Sequence, residues 1–427
     1  MPTERLMAIV NGRRMGVLER TGQRVTLTYD PTWREAEGAF PMSLSMPLAM
    51  EQHTASTVLP FLWGLLPDNH DVLARWGRRF GASPRNPFKL LAHVGEDCAG
   101  AVQFVTTERE DAVRAGPPTR PEWLTERQVA ERLRVLGQDA SAGRLATDTG
   151  QFSLPGAQRK TALYWDGKRW GVPAGAMPTT HILKPTLPDF DGHAENEHIC
   201  LALARALGIP AATSRVERFE EQVAIVVDRF DRVQQDGVYR RVHQEDFCQA
   251  CGIHPDRKYE NQGGPGAVAI VQTLRENSRM ADIDVTVFLQ ALVFNWLIGG
   301  TDAHAKNYGV LFGGGAHVRL APLYDVASAL PYYPTGLRKL KLAMRVGGEY
   351  ALLRVSGVHW QRLAADARIA PEEMEVVINQ LCAALPDTYA KVREAARESG
   401  LSHSILDTLG TLIRERVAWV SQGARTQ

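Results

Sequence analysis

The sequence predicts an α+β protein in three parts: a β-rich opening, a mixed α/β middle and a helical second half. Three observations point there. Apolar and polar residues alternate with period two from Leu6 to Trp33, short apolar strands surround one strong helical run between Phe152 and Phe230, and helical spacing dominates beyond Asp246. At 427 residues and 44% hydrophobic content, the chain can bury more than one core. Its 49 basic and 48 acidic residues nearly cancel, which excludes a global electrostatic grip on nucleic acid or an anionic membrane.

The elements follow in order. LMAIVNGRRMGVLER and RVTLTYDPTW alternate around Asn11-Gly12, a pair suited to the left-handed turn of a hairpin. VLPFLWGLLPDNHDVLARWGRRF and NPFKLLAHVG then carry apolar residues at helical spacing, and CAGAVQFV closes the β-rich part near Thr107. TEREDAVRAGPPTRPEW is charged and proline-bearing, the composition of a linker or long surface loop. The parts are therefore 1–107, 108–232 and 233–427. In the middle part a short amphipathic helix is expected over 124–138, strands at TALYWDG, THILKP, RVERF and VAIVVDRF, and a helix at ENEHICLALARALG. The last part is helical except at YGVLFGGGAHVRLAPLYDV, where two strands flank a glycine turn, and its tail from Pro371 to Ser421 reads as helices broken at Pro386 and Gly400.

The longest apolar run, Phe288 to Gly300, is interrupted by Gln290 and Asn295 and falls short of the roughly 20 residues that span a bilayer, so no membrane segment is expected. No secretory signal follows Met1, which makes the cytoplasm the expected compartment. Cys98, Cys200 and Cys382 stand singly in apolar surroundings. Cys248 and Cys251 form a lone CxxC that with His254 reaches three ligands of the four a structural zinc needs, so two residues of a buried helical turn are expected instead.

Chemistry concentrates in GGTDAHAKNYGVLFGGGAHVRLAPLYDV. Asp302 stands five positions before Asn307, and Asp325 follows the expected hairpin. A kinase catalytic segment has this spacing: one aspartate accepts the proton of the attacking hydroxyl, while the asparagine and the later aspartate hold magnesium. Magnesium takes hard oxygen donors and few of them from protein, which suits Asn307 and Asp325. A cation for ATP phosphates is expected on a strand, with a helical carboxylate to hold it. THILKP supplies Lys184, and Glu195 or Glu197 supplies the carboxylate, Glu197 being preferred because it precedes the stripe Ile199, Leu203 and Leu207. No G-x-G-x-x-G precedes Lys184. SLPGAQRKT offers Gly156, Ala157 and Lys160 as a phosphate-cradling loop in its place.

Taken together, the stretches from Ser153 to Thr161, Thr180 to Lys184, Asp228 to Asp231, Glu245 to Gly252 and Thr301 to Asn307 resemble the HipA family of bacterial serine/threonine kinase toxins. LLPDNHDV, NPFKLLAHVGEDCAGAV and KYENQGGPG extend the resemblance over nearly the whole chain. It implies a two-lobed protein-kinase-like fold with an N-terminal β-rich subdomain and an all-helical C-terminal lobe. It also implies Asp302 as the catalytic residue, magnesium on Asn307 and Asp325, and ATP held by Pro155, Gly156, Ala157, Gln158, Arg159, Lys160 and Lys184. Asp228, Arg229 and Phe230 match the inter-lobe segment that meets adenine, with Asp228 where the family carries glutamate; His304, Ala305, Lys306 and Tyr324 lie in matched nucleotide-binding stretches. Ser153 aligns with a serine whose autophosphorylation ejects the loop and inactivates the kinase. The implied partners are a HipB-like helix-turn-helix antitoxin, operator DNA mainly through that antitoxin, and a substrate in the translation machinery such as an aminoacyl-tRNA synthetase, whose phosphorylation arrests growth. The residues alone leave open a small-molecule phosphotransferase and a non-catalytic co-repressor.

Overall fold

Asn11 (φ 46°) and Gly12 (φ 82°) both take the left-handed backbone of a two-residue turn and fold strand Glu4–Val10 onto Arg13–Thr21, with Val10 opposite Arg13. The expected hairpin is present. The computed structural model describes residues 3–116, 120–139, 143, 152–186, 189–314, 317–333 and 335–423. Backbone contacts divide the chain into two units: Met1–Pro185 with Glu217–Asp256 and Val310–Val318, and Thr186–Val216 with Arg257–Gly309 and Arg319–Gln427.

The first unit opens with a five-stranded sheet in the order Gln52–Thr54, Arg24–Tyr29, Arg13–Thr21, Glu4–Val10, Val102–Val105, antiparallel throughout. Leu6, Ala8, Leu18 and Leu27 pack with Phe61, Leu62 and Leu91 from helices Ala55–Gly64 and Pro87–Val94. The opposite face is apolar as well, because Met7 and Ile9 fill the alternate positions, and it also needs a cover. The segment read as a linker supplies one. Thr107–Arg109 is a 3-10 turn, Glu110–Arg114 is a helix, Val113 packs on Met7 and Ile9, and buried Glu110 accepts from Arg14 Nε at 2.8 Å.

A second sheet runs Ser214–Phe219, Gln222–Asp228, His181–Pro185, Thr161–Trp165, Trp170–Val172, Glu122–Trp123. Helix Glu126–Gln138 starts at a capping box between Thr125 and Gln128 and lays Val129, Ala130 and Leu133 on Leu163, Leu183 and Val226. Strands Arg232–Gln235 and Val238–Arg241 form a further hairpin, turned at Asp236 (φ 52°) and Gly237 (φ 76°).

The two sheets meet through a buried charge network. Asp97, in the turn ahead of Val102–Val105, accepts from Arg232 at 2.9 Å, from Arg241 at 2.8 Å, and from the backbone and hydroxyl of Thr179 at 2.9 and 2.7 Å. Asp231 accepts from Arg229 and Arg232, each at 2.8 Å, and from the Gly100 amide at the same distance. Burial raises a carboxyl, yet the three guanidiniums outweigh it and hold Asp97 well below the usual carboxylate range. Nearby, His243 is pushed down to about 4 by burial and is neutral at pH 7, accepting from the Ala101 amide through Nδ1 and donating to the Met42 carbonyl through Nε2.

Helix Ala281–Ile298 is the axis of the second unit. It is long and apolar enough to cross a membrane by composition, but 67% of it is buried, and it packs against Ala267–Asn277, Pro371–Glu398 and Ile405–Gly423. Asn295, the polar interruption within it, donates to the Ala291 carbonyl and the Tyr308 hydroxyl, each at 3.0 Å. Helix Pro371–Glu398 continues through Pro386 where the sequence reading placed a break. Proline forfeits one backbone hydrogen bond, but Leu381, Leu385 and Tyr389 are buried on either side of it and hold the helix together; the chain turns at Gly400 (φ 90°) instead. Besides its helices the unit carries an antiparallel ribbon, Lys341–Val346 with Glu349–Ala351, turned at Gly347-Gly348.

Two stability predictions follow from the buried carboxyls. Asp97→Asn removes one of two carboxylates facing three buried guanidiniums, and urea denaturation is expected to show a loss of about 3–5 kcal/mol. Glu245 accepts from the Leu44 amide at 2.8 Å and is pushed up to about 8 by burial. The folded state therefore holds a proton that the unfolded state releases near 4.5, and this contribution is lost as pH rises from 4.5 through 8. Glu245→Gln keeps the acceptor without the charge. Its melting temperature relative to wild type is expected to climb across that window, and a constant gap would contradict the assignment.

Candidate active site

The residues singled out by sequence fall into two groups, one in each unit. In the second unit the helix Ala281–Ile298 ends at Gly299 (φ 69°), and Gly300 donates back to the Asn295 carbonyl at 2.7 Å. A Cβ at Gly299 would lie 2.6 Å from the Leu330 side chain and one at Gly300 would lie 2.2 Å from Asn295 Oδ1, so the Gly-Gly pair is needed for the chain to leave the helix here. Asp302 is then set on an exposed turn. Its carbonyl accepts from the His304 amide and from Asn307 Nδ2, both at 2.8 Å, and Ala305–Asn307 form a 3-10 turn closed by the Asn307 amide on the His304 carbonyl at 2.8 Å. The five-residue spacing thus becomes one closed loop. Since the Asn307 amide nitrogen points inward, its oxygen is the atom it can offer a ligand.

After Gly309–Gly313 and His317–Leu320 the chain returns to the same place: the Ala321 amide donates to the Gly309 carbonyl at 2.9 Å and Tyr324 Oη donates to the Lys306 carbonyl at 2.8 Å. Tyr324 and Lys306 are the neighbours of Asp325 and Asn307. Asp325 itself is held at φ 52°, a left-handed backbone that costs a non-glycine residue about 1–2 kcal/mol.

Glu195 and Glu197 are both buried on helix His193–Ala206 in this unit. Between them lies Asn196, which the sequence reading passed over. Its Oδ1 accepts from the Ser328 amide at 3.0 Å and its Nδ2 donates to the Ser328 carbonyl at 2.8 Å, so the helix carrying both glutamates is bolted to the segment that follows Asp325. Tyr259 was also passed over; its hydroxyl donates to Asp302 Oδ1 at 2.7 Å. Both contacts join residues far apart in the chain and leave no local pattern.

In the first unit Lys184 is buried within strand His181–Pro185, opposite Ile225. An ammonium there is costly unless anionic groups meet it. At the start of the same strand, Asp228 pairs with His181, its carboxylate 3.1 Å from Nε2. Arg229 turns its guanidinium into the buried network, so its backbone is what it can present, while Phe230 is half-buried at the following turn. The loop from Ser153 to Lys160 is laid against the N-terminal sheet's helices. The Ser153 amide donates to the Asp97 carbonyl at 3.1 Å, and the Asp68 amide donates to the Gly156 carbonyl at 3.2 Å. Ser153 is buried, with its hydroxyl donating to the Leu65 carbonyl at 2.7 Å. Gly156 (φ 103°) curls the loop so that Lys160 Nζ reaches the Pro155 carbonyl at 2.7 Å, and a Cβ at Gly156 would collide with that ammonium at 2.6 Å. Among the described residues Gln158 Nε2 is buried without a hydrogen-bond partner, Arg159 donates to the Gly137 carbonyl, and Ala157 is exposed. Elsewhere in the unit, Cys248 is buried on the single-turn helix Phe247–Ala250 with half-buried Cys251 after it.

A strand lysine, an Asp-x4-Asn turn and an aspartate returned by a hairpin, on an α+β scaffold, define a kinase-like class of protein. Comparison with known proteins narrows it. Residues 152–389 match the HipA-like C-terminal domain and residues 6–105 match the HipA N-terminal domain. The protein Y4mE of Sinorhizobium fredii is 34% identical over 374 residues, 87% of either chain. The serine/threonine-protein kinase toxin HipA of Shewanella oneidensis is 29% identical over 350 residues, which is 78% of this chain and 76% of the toxin. The solved complex of Shewanella oneidensis HipA, HipB and operator DNA contains a chain of the same fold, with a TM-score of 0.82 at 23% identity over 99% of this chain and 100% of that one. The chain belongs to the HipA family.

The Asn196 clamp carries a direct prediction. Asn196→Ala strips the Ser328 amide and carbonyl of buried partners and is expected to lower stability by about 1–3 kcal/mol in urea denaturation, against a near-neutral change if the clamp were incidental.

Proposed function

We propose that this chain is a serine/threonine protein kinase toxin that transfers the γ-phosphate of ATP to a protein hydroxyl. The observation that carries the reading is the closed turn joining Asp302 to Asn307, with Tyr324 returned to Lys306 beside it. Asp302, exposed on that turn, accepts the proton of the acceptor hydroxyl as its oxygen bonds to the γ-phosphorus and the bond to the β,γ-bridging oxygen breaks. Lys184 and the backbone of Pro155 to Lys160 bind the phosphates. The Gln158 amide, unpartnered among the described residues, and the glycine curl at Gly156 suit a polar ligand in that loop. Asp228 to Phe230 and His304 to Lys306 line the nucleotide.

The amide oxygen of Asn307 and the carboxylate of Asp325 are hard donors that fit magnesium, which when bound neutralises charge on the phosphate oxygens. The strained backbone at Asp325 is consistent with a carboxylate aimed for such a ligand.

Ser153 fits a self-limiting switch. In its buried setting the hydroxyl faces a carbonyl and its amide binds Asp97, so a phosphoserine would place about two negative charges beside acceptor oxygens and could not return. Phosphorylation thus requires the loop to leave and then holds it out. The relative solved with HipB and operator DNA supports a HipB-like antitoxin as partner, with DNA contacted mainly through it, in keeping with the small net charge of +1. A translation protein as substrate, the cytoplasm as compartment, and the division into an N-terminal subdomain (1–107), a nucleotide lobe (108–232) and a catalytic lobe (233–427) complete the proposal.

Purified protein incubated with magnesium and γ-labelled ATP tests it. Wild type is expected to label Ser153, as mapped by mass spectrometry, and Asp302→Asn and Asp325→Asn are each expected to incorporate label at least about 100-fold more slowly. Ser153→Ala should lose self-labelling while still phosphorylating protein in a lysate. Full labelling by Asp302→Asn would overturn the reading.

A further inference from the structure

Phosphoryl transfer as described gives no role to KYENQGGPG, residues 258–266, yet this stretch reaches the catalytic aspartate. Tyr259 Oη donates to Asp302 Oδ1 at 2.7 Å. An aspartate on an exposed turn rotates freely about its last torsion, and a general base works only when one oxygen is held in line with the proton it takes. The phenol supplies that restraint.

Tyr259 is itself fixed from several directions within the same unit. Its ring meets His304 edge-on at 5.0 Å between centroids, and its carbonyl accepts from the Gln262 and Gly264 amides at 2.9 and 3.0 Å. The preceding carbonyl, of Lys258, accepts from the Ala305 amide at 3.3 Å, tying the stretch to the catalytic turn a second time. On the other side Glu260 accepts from the Arg345 amide at 2.7 Å and its guanidinium at 2.8 Å. Two of its three glycines have no room for a side chain: a Cβ at Gly264 would lie 2.1 Å from the Arg257 carbonyl, and one at Gly266 would lie 2.3 Å from Glu260 Oε1. The motif is therefore a tightly held frame that places the Tyr259 hydroxyl on Asp302.

We propose that Tyr259 is the positioning residue of the catalytic base: its hydroxyl holds Asp302 Oδ1 and leaves Oδ2 as the oxygen that takes the acceptor's proton. This rests on Asp302 being that base. ADP release from magnesium-ATP counts transfer to any acceptor, water included, and is the readout, with wild type, Tyr259→Phe, Tyr259→Ala, Asp302→Asn and the double variant Tyr259→Phe/Asp302→Asn compared. Tyr259→Phe keeps the ring on His304 and loses only the hydroxyl. It is expected to lower kcat about ten- to a hundredfold with KM for ATP and melting temperature unchanged, Tyr259→Ala being no faster, and to slow the Asp302→Asn enzyme no further. A purely structural tyrosine would instead leave Tyr259→Phe at the wild-type rate and penalise only Tyr259→Ala. Wild-type kcat for Tyr259→Phe beside a crippled Asp302→Asn would overturn the tyrosine's role alone, whereas an unimpaired Asp302→Asn would overturn the catalytic reading and this inference with it.

Discussion

Asp97 is the residue on which the first unit depends. It lies in the turn that closes the N-terminal sheet, and it is met by guanidiniums from strands and turns more than 130 residues later, Arg229, Arg232 and Arg241. Burying so many charges is tolerable only because nearly every donor finds an oxygen, and such a network admits little sliding between the two sheets. The loop proposed to bind nucleotide starts from the same point, since the Ser153 amide donates to the Asp97 carbonyl, and it is tied again where the Asp68 amide donates to the Gly156 carbonyl. The N-terminal segment that carries Asp68 and Asp97 thus holds the loop at both Ser153 and Gly156.

The second unit solves a different problem: how to hold several polar groups at the end of an apolar helix. Gly299 and Gly300 let the chain turn away from Ala281–Ile298, Asn307 closes the turn onto Asp302, and Tyr324 fastens the returning strand to Lys306. Asn196 then fixes the helix of Glu195 and Glu197 to the segment after Asp325. Asn307, Tyr324 and the helix of Glu195 and Glu197 are thus each tied to the backbone of another stretch of this unit.

Much of this was legible in the sequence where the signal is local. Asn11-Gly12 declared its hairpin, ENEHICLALARALG its helix, and Asp302, Asn307 and Asp325 their spacing, because turn preference and periodicity act over a few residues. Tyr259 and Asn196 escaped because their partners lie 43 and 132 residues away. TEREDAVRAG looked like a linker from its charge, and only the apolar second face of Glu4–Val10 shows why it docks. The ribbon at Lys341–Ala351 had a usable signal, the alternation KLKLAMRV before Gly347-Gly348, which the surrounding helical periodicity masked. Pro386 misled in the other direction, since flanking burial outweighs one lost hydrogen bond.

The central claim is that these two constellations serve phosphoryl transfer to a protein. Its most direct measurement is quantitative phosphoproteomics of a bacterial lysate supplied with magnesium-ATP and either wild type or Asp302→Asn. The account predicts one or a few serine or threonine sites that gain phosphate with wild type and stay bare with the variant. Equal phosphoproteomes, with ATP consumed at equal rates by both proteins, would contradict it.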